Sequence, residues 1–300
     1  MQNLFEQQSL TRGCIVLRNE PLKKHTTFRI GGNAEILLIP SSLEDIKTTI
    51  SMCVKNKLQY YIIGNGSNLL VCDGGLSGVV IKFAGTFDDI DINGNEVVCG
   101  AGELISSLYS AVSSAGLTGM EYFAGIPATA GGAVAMNMGS FGRNFSDLIK
   151  EVYVLDFSGI EHTLQKNEIE FGYRRSSLSE RGYIVTGMKL VMDFLDPEVI
   201  RSRYGEFLSR KLSTQPLDIP SAGCVFKNPE NYSAGYLIEK AGLKGLKVGG
   251  ASVSKKHANY IVNEGGALAA DVISLIGQMK DKVFAHSGII LDPEIRMLGF

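Results

Sequence analysis

Apolar residues recur at helical spacing in five stretches of the chain. Ser42 and Asp45 fit the capping residues of the first helix, which is expected over 43–54. Gly116 fits the residue just beyond a helix C-terminus, and Asp196-Pro197 fits a helix start. The pattern predicts the remaining helices over 103–115, 197–212, 234–241 and 268–286.

Short apolar runs bounded by glycine or proline predict strands between these helices. Two hairpins are expected, one turning at Asn93-Gly94 and one at Ser158-Gly159. Together the elements predict an α+β chain with a large N-terminal portion and a smaller α/β portion, divided near 200–220. The predicted strands are 60–63, 69–72, 78–83, 149–157, 160–164, 183–194, 224–227, 251–254, 259–263 and a final pair around 289–298.

The stretch GNGSN, residues 64–68, joins two predicted strands. A dinucleotide fingerprint of the Rossmann type would open a helix instead, so that interpretation is excluded. Consecutive backbone N–H groups, the Ser67 hydroxyl and the amides of Asn65 and Asn68 would together suit an anion. The alternative is an ordinary tight turn.

A second glycine-rich stretch, AGIPATAGGAVAMNMGSFG, covers residues 124–142. It is uncharged, Pro127 stiffens it, and its pattern predicts a loop. It would either pack as a hairpin in the core or leave room for a flat apolar ligand against the backbone. Together, the two glycine-rich stretches suggest a dinucleotide ligand. One stretch would bind its diphosphate and the other its planar ring.

Composition narrows the possible partners. The chain has 300 residues, 29 Lys and Arg against 31 Asp and Glu, and a net charge of −2, so nucleic acid is not the expected partner. The first ten residues lack the basic start and apolar run of a secretory signal, and glycines break the longest uncharged run. We therefore expect a cytoplasmic protein that does not enter a membrane. The 5 cysteines include no CxxC pair and the 4 histidines no His-x-x-x-His pair, so neither disulfides nor a metal site is expected.

Seven motifs in order carry a resemblance to a known family. They are TTFRIGG (26–32), GNGSNLLV (64–71), GIPATAGGAVAMNMGSFG (125–142), YRRS (173–176), SAGCVFKNP (221–229), KHANYIVN (256–263) and LDPEIR (291–296). From about residue 20 to the C-terminus the chain resembles the UDP-N-acetylenolpyruvoylglucosamine reductases, the MurB flavoenzymes of bacterial peptidoglycan synthesis, in their shorter type without an extra substrate-domain insertion.

The resemblance implies a vanillyl-alcohol-oxidase/PCMH-type FAD-binding fold and an activity. An N-terminal segment (1–20) would precede a FAD-binding domain (21–195) in two lobes (21–85 and 86–195), followed by a substrate-binding α/β domain (196–300). NADPH would reduce FAD, which would pass hydride to the enolpyruvyl C3 of the UDP-sugar to give UDP-N-acetylmuramate. The expected partners are the UDP-sugar and NADPH, and the expected state is a monomer.

The resemblance also implies roles for particular residues. Arg174, Cys224 and Glu294 would be catalytic: the guanidinium would bind the substrate carboxylate, the thiol would protonate C2, and the glutamate would polarise the carboxylate side. Tyr173, Lys227, Asn228 and His257 would bind substrate. The FAD-binding set would be Gly64, Asn65, Gly66, Ser67, Asn68, Gly125, Ile126, Thr129, Gly131, Gly132, Asn137 and Gly139.

From the residues alone, each role has a plainer alternative. Arg174 also suits a surface ion pair, Glu294 an acidic turn, and Cys224 an inert buried thiol with water as the proton donor. His257 would equally support the fold without touching substrate.

The chain departs from the family pattern at three positions. Cys224 replaces the usual serine; a thiol is the stronger acid, with an ordinary pKa of about 8.5, so proton donation remains chemically sound. Ala128 replaces a glycine and requires an ordinary φ, and Phe141 replaces a frequent tyrosine and removes one hydroxyl. Neither of the last two changes is expected to prevent FAD binding.

Two other functions compete with the reductase. A FAD-dependent oxidase of the same fold would act on a small alcohol or sugar with oxygen, without needing the UDP-sugar. A non-catalytic nucleotide-sugar-binding protein would keep Lys227 and Asn228 but carry no flavin.

Overall fold

The computed structural model describes residues 10–300, which form two compact units, each with its own apolar core. The chain passes between the units several times. Unit 1 contains residues 10–19, Glu35–Asn65 and Ser77–Phe207, and unit 2 contains Glu20–Ala34, Gly66–Leu76 and Leu208–Phe300. Compactness does not show which residues bind cofactor or substrate, so the functional boundary at 195/196 stays a prediction.

A four-stranded sheet and helix α1 form the first layer of unit 1. Ile36 from β2, Ile46 and Ile50 from α1, and Val79 from β5 belong to one buried cluster. The α1 capping box is confirmed, since Ser42 Oγ accepts the N–H of Asp45 at 3.1 Å and the Asp45 carboxylate accepts the N–H of Ser42 at 3.0 Å. The elements are β1 (Ile15–Pro21), β2 (Asn33–Ile39), α1 (Leu43–Lys55), β3 (Tyr60–Ile63) and β5 (Leu76–Lys82), with the sheet order β1-β2-β5-β3. The intervening strand β4 (Leu69–Val71) lies in unit 2. The strands β1 and β2 were not predicted.

A five-stranded antiparallel sheet forms the second layer of unit 1, in the order β12-β11-β15-β7-β6. Asn93 pairs with Glu96, so the first hairpin turns at residues 94–95, one position beyond the prediction. Gly116 follows α2 with φ +72°, as expected for a residue just beyond the helix end. The elements are β6 (Ile90–Asn93), β7 (Glu96–Gly100), α2 (Ile105–Ser114), β8 (Leu117–Thr118), β11 (Ile149–Leu155), β12 (Glu161–Gln165), β13 (Phe171–Gly172), β14 (Arg175–Ser176), α4 (Ser177–Glu180), β15 (Ile184–Val191) and β16 (Asp193–Phe194).

The prediction of a loop over 124–142 is wrong in part. Helix α3 (Ala130–Ala135) begins after Thr129, whose Oγ1 accepts the N–H of Gly132 at 3.3 Å. A hairpin of β9 (Gly139–Ser140) and β10 (Arg143–Asn144) then follows. The helix was missed because it is short and consists of glycine, alanine and valine, which give no helical spacing of apolar and polar positions.

Helix α5 (Pro197–Thr214) begins where it was predicted. Its N-terminal part lies in unit 1, where Tyr204 stacks on Tyr109 with ring centroids 3.8 Å apart. Phe207 stacks on Phe141 at 4.5 Å. Aromatic contacts therefore fix this part of the helix.

Unit 2 contains an antiparallel sheet, in the order β17-β20-β19-β18, with two helices. Its strand β17 ends at Cys224, so the predicted strand over 224–227 is wrong. The predicted final strand pair is also wrong, because β21 pairs in parallel with β4 instead. The elements are β17 (Ser221–Cys224), α6 (Ala234–Lys240), β18 (Lys247–Val248), β19 (Ala251–Val253), β20 (Tyr260–Asn263), α7 (Ala269–Ser287) and β21 (Arg296–Leu298). Within residues 10–300, no helix combines the length and the apolar character needed to cross a membrane.

Candidate active site

A cavity of about 210 Å³ in unit 1 adjoins the second glycine-rich stretch. The Tyr109–Tyr204 stack forms part of its wall, and most other lining side chains are apolar. Such a lining suits a planar ring system. The lining residues are Ile105, Ser106, Tyr109, Met120, Phe123, Gly125, Ile126, Pro127 and Tyr204.

Part of the first glycine-rich loop lies against this stretch. The side-chain amide of Asn65 donates to the carbonyl of Pro127 at 2.8 Å. A Cβ on Gly64 would lie 2.2 Å from Thr129 Oγ1, and a Cβ on Gly131 would lie 2.8 Å from the Cβ of Ala101. These glycines are therefore required for close backbone approach.

Three non-glycine residues with left-handed backbones lie in neighbouring turns of unit 1. They are Asn137 (φ +41°), Phe141 (φ +48°) and Arg174 (φ +56°). The Asn137 amide donates to the carbonyl of Gly172 at 2.9 Å, and a Cβ on Gly139 would lie 2.6 Å from an Arg174 guanidinium nitrogen. Such strained backbones concentrate at functional sites, and these turns bring the predicted FAD residues Asn137 and Gly139 beside the predicted catalytic arginine.

The two residues on either side of Arg174 in the chain, Tyr173 and Arg175, make different contacts. The Arg174 guanidinium carbon lies 5.2 Å from the ring centroid of Tyr173, whose side chain is exposed. Arg175 lies near the carboxylates of Glu170 and Glu180, at 3.6 and 3.8 Å. Arg175 therefore lies among surface carboxylates.

In unit 2, the other half of the GNGSN loop contacts the predicted catalytic glutamate through the backbone. The Asn68 amide donates to the Glu294 carbonyl at 3.3 Å, and the Arg296 N–H donates to the Asn68 carbonyl at 2.9 Å. A Cβ on Gly66 would lie 2.3 Å from the carbonyl oxygen of His25. Asn68, predicted to bind FAD, therefore holds Glu294 with its amide.

Cys224 and Glu294 lie on segments joined by backbone hydrogen bonds. Cys224 is half-buried at the end of β17, opposite Tyr260. The next residue, Val225, accepts the N–H of Glu294 at 2.7 Å and donates to the carbonyl of Asn259 at 2.8 Å. The structure thus brings these two predicted catalytic residues into one region of unit 2.

Two predicted substrate-binding residues of unit 2, Lys227 and Asn228, follow Cys224 closely and differ in burial. Half-buried Lys227 donates its N–H to the Asp292 carbonyl at 2.9 Å. Asn228 is exposed, and its side-chain oxygen accepts the N–H of Ala234 at 3.0 Å. Both residues lie beyond the end of β17 rather than on a strand.

His257 has a structural contact of its own. Its Nδ1 accepts the N–H of Asn259 at 3.3 Å, and its ring meets the Tyr260 ring edge-on at 4.9 Å. Burial, followed by the charge of Lys244, lowers the pKa of His257. A neutral imidazole with Nδ1 as acceptor therefore supports the turn before β20.

Sequence reasoning missed two features of these regions. Asn259 is 1% exposed and bonds both ends of its amide to Phe226. The Tyr109–Tyr204 stack lines the cavity from two helices. For Asn259 the only sequence signal was its place within KHANYIVN; for the tyrosines there was none, because residues 95 positions apart show no local pattern.

The lining of the cavity bears on the kind of cofactor that it suits. Among residues 10–300, no group of three His, Cys, Asp or Glu side chains lies close enough to hold a metal ion. By contrast, the mostly apolar cavity walled by the stacked Tyr109 and Tyr204 rings has the lining that a planar ring system needs. The residues that line the cavity therefore fit the ring system of FAD.

The comparisons with known proteins define the class first. Residues 34–165 match the profile of the FAD binding domain, and residues 215–298 match that of the UDP-N-acetylenolpyruvoylglucosamine reductase C-terminal domain. The chain is therefore a FAD-dependent oxidoreductase with a vanillyl-alcohol-oxidase/PCMH-type FAD-binding fold and a separate C-terminal domain.

Relatives of nearly equal length define the family. UDP-N-acetylenolpyruvoylglucosamine reductase of Alkaliphilus oremlandii is 42% identical over 95% of this chain and 94% of its own length. The Moorella thermoacetica enzyme is 46% identical over 95% and 93%. The crystal structure of the Thermus caldophilus enzyme (MurB) aligns with a TM-score of 0.82 and 38% identity over 95% and 98%. The chain belongs to the UDP-N-acetylenolpyruvoylglucosamine reductase family.

Proposed function

We propose that this chain reduces UDP-N-acetyl-3-O-(1-carboxyvinyl)glucosamine to UDP-N-acetylmuramate, with NADPH as the electron donor and FAD as the cofactor. The observation that carries the proposal is similarity over nearly the full length of both this chain and its relatives. Neither the oxidase nor the binding-protein alternative is favoured by any of the relatives described above.

The FAD-binding residues would come from the two glycine-rich stretches. The first set is Gly64, Asn65, Gly66, Ser67 and Asn68, and the second is Gly125, Ile126, Thr129, Gly131, Gly132, Asn137 and Gly139. FAD held by these residues would supply hydride chemistry between NADPH and the enolpyruvyl C3 of the substrate. The Asn65 amide, which donates to the Pro127 carbonyl at 2.8 Å, supports a shared role because it joins the two stretches.

Arg174 binds the carboxylate that gains negative charge during the reaction. Hydride addition at C3 places carbanion character at C2, which delocalises into the neighbouring carboxylate. A guanidinium offers two parallel N–H donors to a carboxylate and remains charged at every working pH. Its left-handed backbone is the local feature that supports a functional role.

Cys224 donates the proton that completes the reduction. Its S–H bond breaks, the proton forms the new C–H bond at C2, and solvent reprotonates the thiolate. Glu294 hydrogen-bonds the carboxylate side of the substrate. The backbone bond between Glu294 and Val225, the residue after Cys224, supports the pairing of these two roles.

The remaining substrate contacts are assigned to four residues. Lys227 neutralises phosphate or carboxylate oxygens, Asn228 hydrogen-bonds them, and Tyr173 packs beside Arg174. His257 acts mainly through the turn that it holds, since its Nδ1 already accepts a backbone N–H.

Two further points belong to the proposal. We expect the protein to act in the cytoplasm, where NADPH and nucleotide sugars are available, and to be a monomer. Light scattering during size-exclusion chromatography tests the monomer, and cell fractionation tests the location.

An anaerobic flavin titration tests the activity. NADPH should bleach the yellow flavin band of the purified holoprotein, and the enolpyruvyl UDP-sugar should then restore it without oxygen. Recovery only on admission of oxygen would favour the oxidase instead. Failure to bind FAD at all would exclude both enzymes.

A further inference from the structure

The segment after Cys224 is held by one buried side chain. The Asn259 side-chain oxygen accepts the N–H of Phe226 at 3.0 Å, and the Asn259 amide donates to the Phe226 carbonyl at 2.8 Å. The Asn259 carbonyl also accepts the N–H of Val225 at 2.8 Å. Three hydrogen bonds from one residue thus fix two consecutive residues beyond Cys224.

The opposite edge of the same segment holds Glu294. The Val225 carbonyl accepts the N–H of Glu294 at 2.7 Å, and Phe226 forms a β-bridge with Pro293. The Lys227 N–H donates to the backbone carbonyl of Asp292 at 2.9 Å. Residues 225–227 therefore lie between Asn259 on one side and residues 292–294 on the other.

The chemistry of the Asn259 site is specific for a primary amide. Phe226 presents both an N–H donor and a carbonyl acceptor, and an amide satisfies both at once. Asn259 and Phe226 are each 1% exposed, so water cannot easily replace the bonds. An ionised carboxylate accepts but cannot donate, and alanine does neither.

We propose that Asn259 is a positioning residue for proton delivery, which holds the backbone between Cys224 and Glu294 so that both side chains keep their places. This inference rests on the proposed function for its catalytic meaning. Asn259 does not itself touch the reacting atoms; it acts through Val225 and Phe226.

Asn263, the last residue of the strand β20 that begins just after Asn259, provides a matched control. It is 8% exposed, its amide donates to the Phe28 carbonyl at 3.1 Å, and its side-chain oxygen accepts the N–H of Gly265 at 2.9 Å. It is thus a buried asparagine that holds a different backbone segment. Asn263→Ala should destabilise unit 2 as Asn259→Ala does, without moving Cys224.

The first measurement is single-turnover kinetics of the holoenzymes. Asn259→Ala should slow flavin reoxidation by the enolpyruvyl UDP-sugar by about 10²-fold, the effect of a small misplacement of reacting groups, while reduction by NADPH stays near the native rate. In Asn259→Asp, the rate of flavin reoxidation by the UDP-sugar should rise toward the native rate as the pH falls. Protonation of the aspartate would restore a donor toward the Phe226 carbonyl. Equal slowing of both half-reactions, or the same selective loss in Asn263→Ala, would overturn the proposal.

The second measurement does not require the reaction. Mass spectrometry can follow alkylation of each cysteine, with buried Cys53 and Cys99 as internal references. The alkylation rate of Cys224 should rise several-fold in Asn259→Ala and stay native-like in Asn263→Ala. An unchanged rate in Asn259→Ala would refute the positioning role. If native protein failed to reduce the UDP-sugar, only the proposed function would fall, and this measurement would still decide the role of Asn259.

Discussion

At the scale of single residues, Arg174 combines a functional side chain with an unfavourable backbone. Its φ of +56° lies in the left-handed region, where a Cβ costs about 1–2 kcal/mol. Asn137 and Phe141 share this conformation in nearby turns. Glycine would avoid this cost, so backbone stability alone does not explain an arginine at this position.

Two substitutions at Arg174 separate strain from function. Both Arg174→Gly and Arg174→Ala should lose reduction of the UDP-sugar, since neither offers a guanidinium. Arg174→Gly should nevertheless be more stable than Arg174→Ala by about 1 kcal/mol, because glycine has no Cβ penalty at this φ. Urea denaturation of the two variants measures the difference. An alanine variant as stable as the glycine variant would show that the turn is not strained.

Asp45 is a second residue at the residue scale, and its carboxylate makes a measurable contribution to stability. It is 1% exposed and accepts both the N–H and the hydroxyl of Thr11 at 2.8 Å, and the N–H of Ser41 at 3.0 Å. Burial alone would raise the pKa of Asp45, but hydrogen bonds from Thr11, Ser41 and Ser42 outweigh it and lower the pKa from 3.8 to about 2. The ionised form is therefore stabilised by folding.

This pKa predicts a pH-dependent effect of Asp45→Asn. Because folding lowers the pKa of Asp45, the ionised carboxylate adds to the free energy of unfolding above pH 3.8. This contribution is lost as the pH falls toward about 2. The variant should be less stable than the native protein by about 2 kcal/mol near neutral pH, because it loses charge-assisted hydrogen bonds. This difference in the free energy of unfolding should become smaller in acid. Urea denaturation of both proteins across a pH series measures the difference. A gap that stayed constant into acid would contradict the assigned pKa.

At the scale of elements, the start of α7 depends on a side chain distant in sequence. The Asp73 carboxylate accepts the N–H of Ala269 at 2.7 Å and of Ala270 at 3.0 Å. Leu268 occupies the N-cap position and has no polar side chain to cap the helix. Asp73 thus caps α7 from 196 residues away.

Removing this cap should weaken unit 2. Asp73→Ala leaves two helix N–H groups without their acceptor and should cost about 1–2 kcal/mol, measured by the midpoint of thermal or urea unfolding. Asp73→Asn, which keeps one side-chain oxygen, should lose less. If both variants matched the native midpoint, the cap would be energetically unimportant.

The elements also show how far local pattern carries a prediction. Ser42 with Asp45 marked α1, and Pro197 marked α5, because caps are local features of the sequence. Helix α3 and strands β1 and β2 lacked such signals. The strand expected after Cys224 ended there instead, because residues 225–227 bond to Asn259 and to residues 292–294, which no local pattern indicates.

At the scale of the whole molecule, the two cores do not follow a simple division of the chain. Phe28, Ile30 and Leu70 belong to the core of unit 2, together with Ala222 and residues beyond it. The family resemblance includes these segments in the expected FAD-binding domain (21–195), a functional boundary that stays a prediction. An apolar residue in the sequence indicates burial, but it does not indicate which of the two cores contains the residue. The membership of the two cores could therefore not be predicted from the sequence.

The candidate site shows the same limit. Arg174, Cys224 and Glu294 were identified through family motifs, and their residue types alone also suited plainer roles. What the structure adds is the backbone that links Cys224 to Glu294 through Val225, and Asn259 behind it. These links join residues far apart in the chain, so no sequence motif contains them.

The most direct test of Cys224 as the proton donor is stopped-flow kinetics of Cys224→Ala and Cys224→Ser beside the native holoenzyme. NADPH should reduce the flavin at a similar rate in all three. Reoxidation by the enolpyruvyl UDP-sugar should fall by about 10²- to 10⁴-fold in Cys224→Ala, the contribution of a positioned acid, and be largely kept in Cys224→Ser. Native-like reoxidation in Cys224→Ala would contradict the role of Cys224 as proton donor.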